Sequence, residues 1–409
     1  MKPVLVIQLA RFGDLLQTKR LVLSLLESGG PVHLLVEASL APLARLVYPQ
    51  VHVHGVNAHT PAEPSALLHT FQELAELDCQ AVYNLNFSGL TLSLTTLFAP
   101  ETVRGYHLEA GQMHMDPWAG LAFRWTARRR SSGINLADFW AGFARPMADP
   151  TLVNPVAQAK GGGLGVVLAG RMARRSLPPE VLARIIQVVM PCLSRPRIFL
   201  LGTAAERRAA RVLKTLLPAQ LLEKTTDLLG RTDWSGLVEA LSGLDRLITP
   251  DTGVMHLAAH LGVPVSAFFL SSAWAHETGP YGLGHTVWQT SLECAPCLEA
   301  AECPKAVACL EPFQSRELLR LMGGKPQGQV PAGLIGYRTD LDALGVVNLP
   351  FVGEDPGLQA RLRFRAFLAR HLGLPAGQGE APAPDLAENL VPDSQFMLDK
   401  PRTLPDALL

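Results

Sequence analysis

Two turns in this sequence put a carboxylate where an apolar run gives way to a helical pattern. In "LVIQLARFGDLL" Asp14 follows a continuous apolar stretch, and in "RLITPDTGVMHLAAH" Asp251 precedes Thr252 and Gly253. An acid at a helix start lies among backbone N–H groups that carry partial positive charge. The same N–H groups bind phosphate where a glycine lets it come close. Either acid could equally be a plain helix cap, the commonest use of Asp or Thr at such a place. What raises both above that reading is their position, one per half of the chain, each after a strand of the type found in parallel sheets, which bind ligands at their carboxyl ends. His256 follows within reach of the second turn, either as a donor to phosphate or as a core histidine satisfied by backbone. His256 and His260 have the i, i+4 spacing of zinc enzymes, but no glutamate follows the first and no third ligand is evident.

A second group is "CAPCLEAAECPKAVAC", with Cys294, Cys297, Cys303 and Cys309. Its Cys-x-x-Cys start has metal-ligand spacing and four thiolates suffice for a closed tetrahedral site. The later gaps are not those of a standard zinc knuckle. A structural metal and plain reduced thiols both fit; a catalytic role does not.

The elements that must position these residues read as strand–helix alternation. "VLVIQLA" (4–10) is continuously apolar, as strands covered on both faces are. A helix carrying Leu15, Leu16, Val22, Leu25 and Leu26 follows and stops at Gly29-Gly30. Strands are expected at 31–37, 51–56 and 81–87. The pattern lapses in "NPVAQAKGGG" (154–163), a linker, and restarts. Strands at 164–170, 197–202, 245–250 and 263–269 then alternate with helices at 179–193, 204–217 and 234–244. Such alternation is that of doubly wound parallel sheets. "PGLQARLRFRAFLARHLG" (356–373) is an amphipathic basic helix, expected to pack on the first domain, and the Pro-, Ala- and Gly-rich remainder reads as disordered.

At 409 residues, with 48% hydrophobic and 18% charged, the chain can build two cores. Zero formal net charge supplies no global field for nucleic acid or an anionic membrane. "RWTARRR" (124–130) is locally basic, either a solvated face or a contact for an anionic ligand. The start has no long apolar stretch, being broken by Gln8 and closed by Arg11 and Asp14, so it is not read as a signal peptide. Residues 253–270, though mostly apolar, carry His256, His260 and a Gly262–Pro264 break that argue against a membrane span. Two of the six cysteines, Cys79 and Cys192, are isolated, unlike a secreted disulfide framework. A cytoplasmic location is expected.

"LVIQLARFGDLLQTKRLVLSL" and "PDTGVMHLAAHLGVPVSAFF" resemble the two signature regions of glycosyltransferase family 9, the ADP-heptose:lipopolysaccharide heptosyltransferases and relatives. The resemblance continues through "LLGTAAERRAARVL", "LLGRTDWSGLVEALSGLDRLITPDTG" and "ETGPYG", covering roughly residues 1–313. It implies a GT-B α/β fold, two Rossmann-like doubly wound domains facing a cleft. These would be an acceptor domain (1–160) and a nucleotide-sugar donor domain (161–320), followed by a helical extension (321–373) and a disordered tail (374–409). It further implies inverting transfer of heptose from ADP-heptose to a lipopolysaccharide inner-core acceptor, with no cofactor needed for the chemistry. Asp14 becomes the general base, and Gly170, Arg175, Glu206, Asp251, Thr252, Gly253 and His256 the donor-binding set. Glu206 would take the ribose hydroxyls and Arg175 the donor phosphate. Relatives carry similar cysteine loops, so zinc or iron at Cys294, Cys297, Cys303 and Cys309 would be structural. The implied partners are the donor and an anionic glycolipid acceptor, with Lys19, Arg20 and the 124–130 cluster as acceptor contacts. Transient contact at the inner face of the cytoplasmic membrane and no nucleic acid complete the picture.

Departures from the family pattern leave alternatives open. Arg175 stands where a lysine is usual, Leu177 where a tryptophan is usual, and Leu270 in place of a glycine. Thr18-Lys19-Arg20 replaces a usual Thr-Pro. A relative using another nucleotide sugar or a protein acceptor, or a binding-only descendant, fits these changes. An NAD-dependent oxidoreductase is disfavoured, because neither half has Gly-x-Gly-x-x-Gly after its first strand.

Overall fold

Val4–Gln8 (β1) is buried at all five positions, as its unbroken apolar run requires of a strand with both faces covered. The computed structural model describes residues 1–59, 64–125, 129–170, 173–298, 301–325 and 329–375. The tail, expected to be disordered, lies outside the described residues from 376 on. The chain divides into two units. One comprises Met1–Ser132 and Leu136–Asp149 with the residues from Ala360 on; the other comprises Gly133–Asn135 and Pro150–Gln359.

In the first unit β1 is followed by β2 (Val32–Glu37), β3 (His52–Val56), β4 (Ala81–Asn84), β5 (Val103–Glu109) and β6 (Gln112–Met115). Their order is β3-β2-β1-β4-β5-β6, parallel except for β6. The direction of winding therefore reverses beside β1, between β1 and β4. Leu5, Ile7, Leu35 and Val82 from these strands share one core with Leu74 and Leu94 from the helices.

The helix expected after β1 is two helices, Phe12–Gln17 and Lys19–Glu27, meeting at Thr18. Two hydroxyls explain the break. Thr18 Oγ1 donates to the Leu15 carbonyl at 2.6 Å and Tyr48 Oη donates to it at 2.7 Å. In a continuous helix that carbonyl would accept the Lys19 N–H instead.

The second unit holds β7 (Leu164–Val167), β8 (Ile198–Leu201), β9 (Thr225–Asp227), β10 (Arg246–Pro250), β11 (Val265–Phe269), β12 (Thr286–Thr290), β13 (Leu334–Leu341) and β14 (Val346–Val352). They lie in the order β14-β13-β12-β11-β10-β7-β8-β9. Strands β9 through β12 run parallel, whereas β12, β13 and β14 are successively antiparallel. Winding reverses between β7 and β10. The stretch read as a linker is bound to this unit: Ala157 N–H donates to the Leu283 carbonyl and Gln158 N–H to that of Gly262, both at 3.0 Å.

The region after 320 is more structured than its weak periodicity indicates. Its β13–β14 hairpin extends the second sheet, and helix Leu358–His371 has its Arg361 and His371 against the first unit. Arg361 Nη1 donates to the Arg130 carbonyl at 2.6 Å, and His371 stacks on Trp118 with ring centroids 6.4 Å apart. Among the described residues no helix is long and apolar enough to cross a membrane.

Candidate functional site

Each sheet presents one of the two acids beside its reversal of winding. In open α/β sheets this crevice, outside the carboxyl ends of the strands, is where ligands sit. Asp14 follows β1 in the first unit. Asp251 follows β10 in the second, with Gly170 beyond the neighbouring strand β7 and Glu206 beyond β8.

Asp14 is half-buried at the third position of helix Phe12–Gln17, where its Oδ2 accepts the Arg11 N–H at 3.1 Å. The cap reading is thus realised here, through one carboxylate oxygen. The two basic residues expected to meet an acceptor differ sharply. Arg20 is withdrawn from solvent: its side chain is 1% exposed, Nη1 pairs with Asp138 Oδ1 at 2.6 Å and Nε donates to the Ala148 carbonyl at 3.0 Å. Arg20 is therefore no acceptor contact, because its guanidinium is spent inside the core of the first unit. Lys19 is largely shielded, and burial pushes its ammonium down to about 8. Of the 124–130 cluster, residues 126–128 lie outside the described residues.

At the second site Asp251 is not the helix cap. That duty falls to Thr252, whose backbone is extended and whose Oγ1 accepts the Met255 N–H of helix Gly253–His260 at 3.4 Å and meets Thr249 Oγ1 at 3.0 Å. The Asp251 carboxylate is turned elsewhere: Oδ2 accepts from Arg175 Nη2 and from Thr278 Oγ1, the latter at 3.0 Å. Arg175 reaches it from a short turn, Ala173–Arg175, whose approach is set by the Gly170 N–H donating to Ser176 Oγ at 2.8 Å. Arg171, in the same loop, lies outside the described residues. Gly170, Arg175, Asp251, Thr252 and Gly253 thus converge on one end of the second sheet. Leu177 and Leu270 are buried in its core, so both departures from the family pattern are absorbed as packing.

Glu206 is used locally. Its Oε2 accepts from Thr203 N–H at 2.6 Å and Thr203 Oγ1 at 2.8 Å, a capping box at the start of the next helix.

His256 is buried inside helix Gly253–His260, and burial pushes its imidazole down to about 4. His285 is held near 4 for the same reason, and His33 likewise, through burial and then the neighbouring His54 and His52. All three rings are neutral at pH 7 in the folded chain, whereas an unfolded chain protonates histidine near 6.5. The unfolded state then binds more protons, so stability falls as pH drops from about 6.5 toward 4, by up to about 1.4 kcal/mol per pH unit for each of the fully buried His256 and His285 rings and by less for the more exposed His33. Urea midpoints at pH 7 and pH 5 are expected to fall accordingly; equal midpoints contradict this assignment.

Two side chains at this end of the sheet were not singled out from sequence. Thr278 lies within "ETGPYG", and its helical turn, Ala275–Thr278, brings it to Asp251. Arg174 ties the cysteine loop to the Arg175 turn, donating to the Leu298 carbonyl at 2.9 Å and the Ala301 carbonyl at 2.5 Å. Only proximity in the fold distinguishes either residue.

Within the cysteine loop Cys309 is buried and Cys297 partly so, while Cys294 and Cys303 are exposed. Burial raises the Cys309 thiol, and the other three thiols, within electrostatic reach, raise it further. N–H groups of Val307 and Lys305 lower the Cys303 thiol; the Val307 N–H lies 3.3 Å from its Sγ. Ala306 and Val307, beside these donors, have positive φ. The donor set fits a thiolate-bound structural metal. Among the described residues, however, the cysteines do not form one of the groups placed to hold a metal ion, so a metal would have to draw the sulfurs together.

The profile of glycosyltransferase family 9 (heptosyltransferase) matches residues 192–307, which contain Glu206, Asp251, Thr252, Gly253 and His256. Over this stretch the chain is similar to family 9 sequences. Lipopolysaccharide heptosyltransferase 1 of Pseudomonas aeruginosa is 35% identical over 99 residues, 24% of this chain and 26% of that protein. The chain thus spans about a quarter of that curated relative. Two solved structures share the fold of this chain at low identity. E. coli ADP-heptose lps heptosyltransferase II has TM-score 0.53 and 16% identity, covering 70% of this chain and 90% of its own. E. coli heptosyltransferase WaaC with ADP has TM-score 0.53 and 17% identity, covering 70% and 93%. The fold is accordingly GT-B, built on two Rossmann-like sheets.

Proposed function

We propose that this chain is an inverting glycosyltransferase that moves a heptose from ADP-heptose to a lipopolysaccharide inner-core acceptor at the inner face of the cytoplasmic membrane. The observation that carries the proposal is the Arg175–Asp251–Thr278 cluster at the β7/β10 reversal, which leaves capping to Thr252 and keeps a carboxylate and a guanidinium at a ligand crevice. The match of residues 192–307 to family 9 supports the same reading.

In this mechanism the acceptor hydroxyl attacks C1 of the sugar while its proton passes to the Asp14 carboxylate. The C1–O bond to the diphosphate breaks with inversion. Charge gathers on the departing diphosphate, where the backbone N–H groups of Thr252 and Gly253 and further N–H donors of Arg175 stabilise it. Asp251 accepts from the sugar hydroxyls, Glu206 from the ribose, Gly170 shapes the phosphate loop, and His256 donates as a neutral imidazole. Cys294, Cys297, Cys303 and Cys309 would hold any structural zinc or iron ion, with no part in the transfer.

Incubation with ADP-heptose, other nucleotide sugars and NAD separates the readings. ADP-heptose at a hundred times its Kd should stabilise the fold by about 2.7 kcal/mol and release ADP when acceptor is added. Stabilisation by NAD alone would falsify the proposal. Binding of ADP-heptose with no turnover on any acceptor would identify a binding-only descendant.

A further inference from the structure

The β5–β6 hairpin of the first unit brings two imidazoles and a carboxylate to one spot. Its turn is two residues long, Ala110 and Gly111, both at positive φ (49° and 77°), as a tight hairpin with right-handed twist requires. That turn sets the register: Glu109 faces Gln112, Leu108 faces Met113 and His107 faces His114. Side chains alternate between faces along a strand, so His107 and Glu109 project to the same side, and His114, directly across, joins them.

The base of the hairpin is pinned. Gly105 has φ +87°, and a Cβ there would come 2.1 Å from the Asn84 carbonyl oxygen, so the strand is drawn tightly against β4. The Gly105 N–H donates to Asp116 Oδ2 at 2.6 Å, and the Asp116 N–H returns to the Gly105 carbonyl at 3.0 Å.

On this frame the His107 and His114 rings stack, with centroids 5.5 Å apart and planes 22° from parallel. His107 Nε2 lies 3.9 Å from Glu109 Oε2. One ligand atom from each of His107, Glu109 and His114 falls within 4.8 Å of the other two. Around a tetrahedral zinc-like ion, ligand atoms sit about 2.1 Å from the metal and hence about 3.4 Å from one another. Side-chain rotation about χ1 and χ2 is what must close that difference. Glu109 is 53% exposed and His107 only 13%, so the cluster is open to solvent on one side and walled on the other. Asp116 lies within electrostatic reach of His107 and adds negative potential.

We propose that His107, Glu109 and His114 form a binding site for a divalent transition-metal ion such as Zn²⁺, Co²⁺ or Ni²⁺, clamping the β5–β6 hairpin and leaving a coordination position for water or an anionic group. Imidazole ligands favour these ions over Mg²⁺ and Ca²⁺, which prefer all-oxygen sites.

Co²⁺ titration of the full chain, followed by calorimetry and absorption, tests this. Cobalt at the cysteine loop would show intense thiolate-to-metal charge transfer, whereas the hairpin site would show only the weaker ligand-field bands of a nitrogen–oxygen set. The wild-type chain should bind one equivalent of the second kind. His114→Ala should weaken that equivalent by at least the roughly 10- to 100-fold that follows loss of a group merely orienting a ligand. His107→Ala/His114→Ala should abolish it, and Glu109→Gln, at the most exposed of the three positions, guards against effects of misfolding by weakening it with the fold intact. Zn²⁺ should raise the Tm of the wild type more than that of His114→Ala. Equal stoichiometry and affinity in the wild type and a folded His107→Ala/His114→Ala chain would overturn the proposal, as would a wild-type titration showing thiolate-bound cobalt alone.

Discussion

Replacing Asp14 by Asn is expected to lower turnover of sugar transfer by about 10²- to 10⁴-fold, the usual contribution of a positioned general base, with donor affinity essentially unchanged. The substitution is well suited to the question. Asn keeps the shape, and its Oδ1 still accepts the Arg11 N–H that Asp14 Oδ2 takes at 3.1 Å, so the helix start is preserved. Only the capacity to receive a proton is lost. Asp14 belongs to the first unit and the Asp251 cluster to the second, so under the proposed function donor binding and proton removal fall to different parts of the chain. Steady-state kinetics with calorimetric donor titration separates them. Retained turnover with lost donor affinity would reverse the roles given to the two acids.

The largest effect on stability is expected at Arg20. Its guanidinium and the Asp138 carboxylate are 1% and 0% exposed, bonded at 2.6 Å, and joined by the Ala148 carbonyl. Ser24 completes the knot, donating to the Arg20 carbonyl and accepting the Ala148 N–H, both at 2.8 Å. Together these bonds hold helix Lys19–Glu27 against helix Leu136–Ala141. Arg20→Met leaves the Asp138 charge buried without its cation, which should cost roughly 3–5 kcal/mol. Arg20→Met/Asp138→Leu removes both charges and should recover most of that loss, since a buried pair is often no better than apolar packing. Guanidinium denaturation of the four members of the cycle measures it. A single Arg20→Met variant as stable as the wild type would mean that water reaches the carboxylate.

Much of the fold was legible in the chain because buried parallel strands need unbroken apolar runs. "VLVIQLA", "RIFLLG" and "VPVSAFF" announce themselves in that way, and all three hold strands. The β13–β14 hairpin did not, for the converse reason: at the antiparallel edge Arg338 and Asp340 are exposed on an otherwise buried strand, which dilutes the pattern. The break at Thr18 was hidden too, since it depends on Tyr48, thirty residues away in sequence.

For the sites, sequence by itself determined which residue types stand at which turns: acids after β1 and β10, a Thr-Gly step at a helix start, and four cysteines in one loop. These are local facts, written in neighbouring letters. Only the tertiary structure decided what each group does with its charge. It turned Asp251 to Arg175 and Thr278, buried Arg20 against Asp138, and folded His107, Glu109 and His114 onto one face of a hairpin. The physical reason is that a charged or imidazole side chain is chemically defined by its partners within a few ångströms, and most of these partners are set by strand order and register rather than by adjacency along the chain.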